Sequence, residues 1–370
     1  MTSIGEWIGR CINSVGAGVA MHLAGCSMLP MPGSNSEEPM VLLPITSAGV
    51  EDGRAAFAAQ FKYELIREGT PADTEAWLHG IPGALSAAAP LPKPGPGTSV
   101  LVVPGIFGEC LDGQALPFSD GVSRPTPKNY EQGYQHFRED LGTVRAIKVG
   151  GRASSHANAG IVAEAVKSEA ARNGISTIIL VAYSKGLPDT LHALQTMHAN
   201  GELPASVKAV VSLSGVLLGT PIADQFAYYY DKLVAPLEPL GCPVSQGGEV
   251  QSLSVAVRTP WLLSARLPEH VALFSVVAHT PRNDVAPALL PFFDLLGQVD
   301  PLNDGQVYSA WSVLPRGHLL AEVRSDHWRY VLALEKSEDP TVRAIASPKT
   351  FPRDAFFRAL VKSVVARVSP

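Results

Sequence analysis

From about residue 98 to residue 330 the chain alternates between short, unbroken apolar runs and longer segments of mixed polarity. The apolar runs are TSVLVVPG, GTVRAIKV, STIILVAYS, VKAVVSLSG, VALFSVVAHT and LLAEVRSDH. Runs this short, without polar alternation, predict strands buried on both faces. Between them lie AGIVAEAVKSEAARNG, an amphipathic helix closed by a glycine, and KGLPDTLHALQTMHANG, a second helix. A further helical stretch, RDAFFRALVKSVVARV, follows the last run. Strands alternating with helices predict an α/β architecture with a mostly parallel central sheet flanked by helices. Upstream, VLLPIT reads as a possible strand and GRAAFAAQFKYELIREG as a helical patch. The Pro/Gly segment PLPKPGPG marks a boundary, or a loop into the next strand. The chain carries no internal repeat and no heptad run.

Composition narrows the choice of function. Apolar residues make up 46% of the 370 positions and charged residues 17%, which fits a folded protein with one large core or two modest ones. The net charge is −5 and no block of Lys/Arg exceeds two, so no nucleic-acid partner is expected, because phosphate binding needs clustered cations. No apolar run reaches the roughly 18–20 residues that a membrane-spanning helix requires. The four cysteines are Cys11, Cys26, Cys110 and Cys242, and none forms a CxxC pair. No cluster has metal-ligand spacing, so no cofactor and no catalytic metal is expected, and a structural calcium is not readable from the sequence. A bond between Cys110 and Cys242 would require an oxidising compartment.

The candidate chemistry centres on ILVAYSKG, where an apolar run stops at Ser184 and a helix follows. Ala182-Tyr183-Ser184-Lys185-Gly186 resembles the G-x-S-x-G nucleophile elbow of α/β-hydrolases, with Ala in the first place. Small residues on either side let strand and helix approach closely around the serine. The resemblance implies the chain order serine, acid, histidine. His327, directly after the last predicted strand, is the candidate base. His79, His136 and His156 precede the serine, while His192 and His198 fall in the following helix. The acid is sought between Val276 and His327. Asn303-Asp304-Gly305-Gln306-Val307 is similar to the NDG-x-V segment of bacterial lipases, which makes Asp304 the candidate. Asp300 and Asp284 are reserves, and Asp326 reads as a loop or capping residue.

Acyl transfer also needs donors for the developing oxyanion. The residue after the nucleophile, Lys185, would supply one backbone N–H. The loop Pro104-Gly105-Ile106-Phe107-Gly108 resembles the HG-x-x-G loop of lipases and would supply the other, from Ile106 first and Phe107 next. The Lys185 side chain is expected to be a solvated neighbour of the mouth. Phe107 and Tyr183 are the expected substrate-binding residues. With SGVLLGTPIAD and SDHW, these segments resemble the bacterial serine lipase/esterase kind of α/β-hydrolase over roughly residues 98 to 330.

That resemblance implies hydrolysis of ester or lipid-like substrates through an acyl-enzyme. Thioester cleavage or acyl transfer by the same triad is an alternative, as is a catalytically silent lipoprotein serving as an interaction module. The insertion at about 219–266, containing QFAYYYDKL, is expected to be a cap or lid; its Phe226, Tyr228, Tyr229 and Tyr230 would face an acyl chain or pack the cap onto the body.

The start of the chain reads as an address. Leu23-Ala24-Gly25-Cys26 resembles a bacterial lipobox, implying a signal peptide over 1–26, lipid attachment at Cys26 and membrane anchoring in the cell envelope. A cytoplasmic protein with an amphipathic leader is the alternative. Residues 27–40 would form a flexible tether, 41–97 an extension packed on the core, and 98–370 the catalytic domain.

Overall fold

The structure, a computed structural model, describes residues 49–81, 86–109, 116–119, 133–234, 243–347 and 349–368. The predicted strand VLLPIT, the 1–26 leader with Cys26, the 27–40 tether, Cys11, Cys110 and Cys242 lie outside the described residues.

Seven strands form one sheet: β1 (Glu51–Asp52), β2 (Thr98–Val103), β3 (Thr143–Ala146), β4 (Thr177–Tyr183), β5 (Val207–Leu213), β6 (Ala272–His279) and β7 (His318–Arg324). Their order is β1-β7-β6-β5-β4-β2-β3, and every neighbouring pair is parallel. The helices among the described residues are α1 (Arg54–Arg67), α2 (Arg138–Leu141), α3 (Ser155–Ala170), α4 (Gly186–Ala199), α5 (Pro221–Tyr229), α6 (Val255–Ser264), α7 (Leu290–Leu296), α8 (Pro340–Ile345) and α9 (Arg353–Val368).

The apolar runs of β2 and β4 are continuous because each of these strands feeds two cores at once. Val100 and Val102 of β2, with Ile179, Val181 and Tyr183 of β4, face a cluster that includes Phe57 and Phe61 of α1 and Phe356, Phe357 and Leu360 of α9. The intervening Leu101, Val103, Ile178, Leu180 and Ala182 face α3 and α4 through Val162, Val166, Leu187, Leu191 and Leu194. A one-residue slip would exchange the two faces, so the packing on both sides fixes the register.

The described part of the N-terminal extension belongs to this architecture. β1 adds to the β7 edge, with Glu51 opposite His318 and Asp52 opposite Leu319. Helix α1 then lies on α9, where the Phe57 and Phe356 rings meet edge-on at 5.2 Å. The Glu64 carboxylate, fully buried between these helices, accepts from Lys362 Nζ at 2.9 Å and pairs with Arg67 Nε at 2.8 Å. Helix α3 starts at Ser155, four residues before the apolar pattern begins, because the Ser154 hydroxyl caps it by accepting from the Ala157 N–H (3.2 Å).

Candidate active site

Strand β4 ends at Tyr183 and α4 begins at Gly186, leaving Ser184 and Lys185 to make the turn. Ser184 sits at φ 51°, a left-handed conformation that costs a non-glycine residue about 1–3 kcal/mol and persists only where the surroundings over-determine it. Here they do. Its N–H donates to the Leu213 carbonyl at 3.0 Å, and its own carbonyl accepts from Leu187 (3.1 Å) and Val216 (3.2 Å). Gly186 is required by contact: a Cβ there would stand 2.3 Å from the Val103 carbonyl oxygen. Gly105 is similarly tight, since its Cβ would lie 3.0 Å from the Ser184 Cβ. The loop after β2 is thus pressed against the serine.

The candidate acid and base meet from two other loops. His327 Nδ1 lies 2.7 Å from Asp304 Oδ2, both residues are buried, and the His327 N–H donates to the Asp304 carbonyl at 2.8 Å. An ionised carboxylate can only accept, so this contact places the ring proton on Nδ1 and leaves Nε2 as the basic nitrogen. Nε2 is buried and has no hydrogen-bond partner among the described residues, so its bond to the Ser184 hydroxyl is not formed here. Asp304 is fixed by its second oxygen, which accepts the N–H groups of Gln306 and Val307, each at 2.9 Å. Gly305, at φ 90°, makes that turn. The reserve acids are engaged elsewhere: Asp284 with Lys349 at 2.7 Å and Asp300 with the Leu302 N–H at 2.9 Å. Asp326 caps its own loop, accepting from Ala286, Trp328 and Arg329, and burial raises its pKa.

Two expectations about neighbouring side chains change. Tyr183, expected to bind substrate, is buried in the core, and its hydroxyl donates to the His327 carbonyl at 2.9 Å. It ties the histidine loop to the serine strand instead of lining the mouth. Burial drives its phenol pKa well up, which keeps it a donor. The Lys185 side chain, expected in solvent, is 1% exposed and places Nζ 2.8 and 2.9 Å from the two carboxylate oxygens of Asp189. Asp189 is itself fully buried, and desolvation raises its pKa against the opposing pull of Lys185.

Of the two loop donors considered, the Phe107 N–H is spent on the Gly151 carbonyl at 3.0 Å. The N–H groups of Ile106 and Lys185 have no backbone acceptor among the described residues. Phe107, at φ 62°, turns its ring toward Tyr230, with centroids 6.3 Å apart. Ala223 and Leu253 of the 219–266 segment form a small buried cluster with Val216 and Val307, against which Ile106 of this loop packs. The Thr220 hydroxyl bonds the Gln306 carbonyl at 2.7 Å, beside Asp304. Phe226, Tyr228 and Tyr229 of α5 remain exposed. A separate cavity of about 300 Å³, lined by Val50, His279, Leu302, Ser309 and Glu322 among others, includes none of the predicted triad.

No family model and no curated protein sequence matches the chain. Solved structures do. The metagenomic carboxyl esterase MGS0156 superposes with a TM-score of 0.75 at 29% identity, over 89% of this chain and 96% of that one. The Staphylococcus hyicus lipase superposes with a TM-score of 0.52 at 10% identity, over 76% of this chain and 100% of that one, a likeness of fold. The chain has the α/β-hydrolase fold. The solved structures that resemble it include carboxyl esterases and lipases of that class.

Proposed function

We propose that the chain is a carboxylic ester hydrolase that works through a Ser184–His327–Asp304 triad and an acyl-enzyme intermediate. The observation that carries this reading is the buried Asp304–His327 contact at 2.7 Å, which leaves Nε2 buried and without a partner among the described residues, on a loop that the Tyr183 hydroxyl ties to the strand ending at the elbow serine, itself held at φ 51°. Nε2 takes the Ser184 proton as Oγ attacks the ester carbonyl, and Asp304 stabilises the imidazolium. The tetrahedral oxyanion is met by the N–H groups of Ile106 and Lys185. The protonated Nε2 then gives its proton to the leaving alkoxide, and water repeats the sequence to release the acid. The 29% identity to a carboxyl esterase along nearly its whole length supports the same reaction class.

The substrate is an ester or lipid-like small molecule, and no cofactor enters the reaction. Phe107 forms one wall of the acyl site. The insertion at 219–266 acts as a cap whose Phe226, Tyr228, Tyr229 and Tyr230 take the acyl chain. Incubation with a fluorophosphonate probe tests the triad: the wild type should be labelled once per chain and Ser184→Ala not at all. An unlabelled wild type would favour the silent module. A series of nitrophenyl esters of increasing acyl length would then place the enzyme between short-chain esterase and lipase. The envelope address rests on Leu23-Ala24-Gly25-Cys26, and mass spectrometry of the membrane fraction checks it. Most molecules still carrying Met1 would sink that assignment.

A further inference from the structure

The residues behind the elbow form a chain of contacts that the triad does not use. We propose that Asn158, held by the buried Lys185–Asp189 ion pair, is a positioning residue that sets the oxyanion loop against the nucleophile. This rests on the reading of Ser184 as nucleophile.

The brace starts beside the serine. Lys185 follows Ser184 directly, and Asp189 lies one turn further along α4, with the ammonium on both carboxylate oxygens. Asp189 Oδ2 also accepts from Asn158 Nδ2 at 2.7 Å, which joins α4 to α3. Asn158 then grips both backbone groups of Gly150: Oδ1 accepts its N–H at 3.0 Å, and Nδ2 donates to its carbonyl at 2.9 Å. The carboxylate can only accept, so the amide nitrogen must face Asp189 and the orientation of the side chain is determined.

Gly151, the next residue, carries the loop. Its carbonyl accepts the Phe107 N–H at 3.0 Å, and its N–H donates to Glu109 Oε1 at 3.0 Å. Loop and glycine lie in close contact, since a Cβ on Gly151 would stand 2.9 Å from the Gly108 nitrogen and 3.1 Å from the Phe107 Cα. A shift of Gly150 therefore carries Phe107 with it, and with Phe107 the N–H of Ile106. The helix that follows the nucleophile also anchors the donor that must lie opposite it. Charged groups this deeply buried are seldom the cheapest way to stabilise a fold, because apolar residues of similar volume often serve as well. Their use here is explained by placement.

The test uses the full chain carrying Asn158→Leu, close in volume and leaving the Lys185–Asp189 pair intact. A second variant, Lys185→Met/Asp189→Leu, replaces the pair by apolar residues and keeps the Lys185 backbone N–H. Active-site titration with a fluorophosphonate counts competent Ser184 in each, and rates are expressed per titrated site. Expected is a fall in kcat of about 10- to 100-fold with KM little changed, as for a misplacement on the order of 1 Å at the reacting centre. The inhibition constant of phenylboronic acid, whose serine adduct is tetrahedral, should rise by the factor lost in kcat/KM. Wild-type kcat and boronate affinity per titrated site in both variants would overturn the proposal, as would a loss seen only in thermal midpoint. If Asn158→Leu does not fold, the double variant decides by the same readings. A wild type that the probe fails to label would overturn the nucleophile assignment and this inference with it.

Discussion

Asp304 owes its place to three hydrogen bonds with different duties. One oxygen accepts two backbone N–H groups and fixes the carboxylate, leaving the other for His327 Nδ1. Asp304→Asn keeps the shape but can present an amide N–H to the ring, which favours the wrong tautomer. The expected result is a fall in kcat of about a thousand- to ten-thousand-fold with little change in fold, read by steady-state kinetics beside circular dichroism. Gly186 is the converse case, a residue defined by what cannot be added. With the Val103 carbonyl oxygen 2.3 Å from a Cβ, Gly186→Ala should cost at least about 1–3 kcal/mol, measured by urea unfolding. The elbow was legible from the sequence because Ser184 ends an apolar run between two small residues. The fate of Lys185 was not, since nothing in a linear pattern says which side of a turn becomes the interior. The one available signal was Asp189 at four residues' distance, the spacing of a helical ion pair.

At the scale of elements, legibility followed burial. The six apolar runs from 98 to 327 all became strands: β2, β4, β5 and β6 are buried on both faces almost throughout, while β3 and the end of β7 alternate buried with half-buried positions. Strand β1 could not be read this way. Glu51 and Asp52 are exposed and charged, and no apolar pattern marks the element: it pairs through the Glu51 N–H to the Gly317 carbonyl (2.8 Å) and the Gly53 N–H to that of Leu319 (2.9 Å), with the Glu51 carboxylate 3.1 Å from His318 Nδ1. Asp304 was separable from Asp300 and Asp284 only by likeness to a known segment; the structure separates them by partners. The contact of α1 with α9 yields its own prediction. Lys362→Met leaves the Glu64 carboxylate in the core with Arg67 and the Gln60 amide (Nε2 to Oε1, 3.2 Å) as its remaining partners, and should destabilise by about 3–5 kcal/mol in urea unfolding. Glu64→Leu/Lys362→Met should recover most of that loss. A double variant no more stable than the single one would show that the pair does more than satisfy its own charges.

For the whole molecule, two half-buried histidines make stability depend on pH. Burial pushes the pKa of His79, stacked on His279 at 3.7 Å, down to about 4. Burial and the neighbouring Arg258 do the same to His192, also to about 4. In the unfolded chain both would titrate near about 6.5. Between these values the unfolded state binds protons that the folded state refuses. The stabilisation is therefore complete above about pH 6.5 and drains away as the pH falls toward 4. Urea midpoints measured across that window should decline with acidity, and His79→Gln should flatten the slope. No helix among the described residues is long and apolar enough to cross a membrane. The pairing of β1 with β7, and of Glu64 with a lysine 298 positions away, also sets an order of events in time. Loops so long close late, and a fold that depends on them assembles slowly. The first strand of the sheet must wait for the last one to be made. In pulse-labelled hydrogen exchange during refolding, the amides of α1 should gain protection no earlier than those of α9, leaving the opening segment of the fold open to proteases until its distant partner arrives.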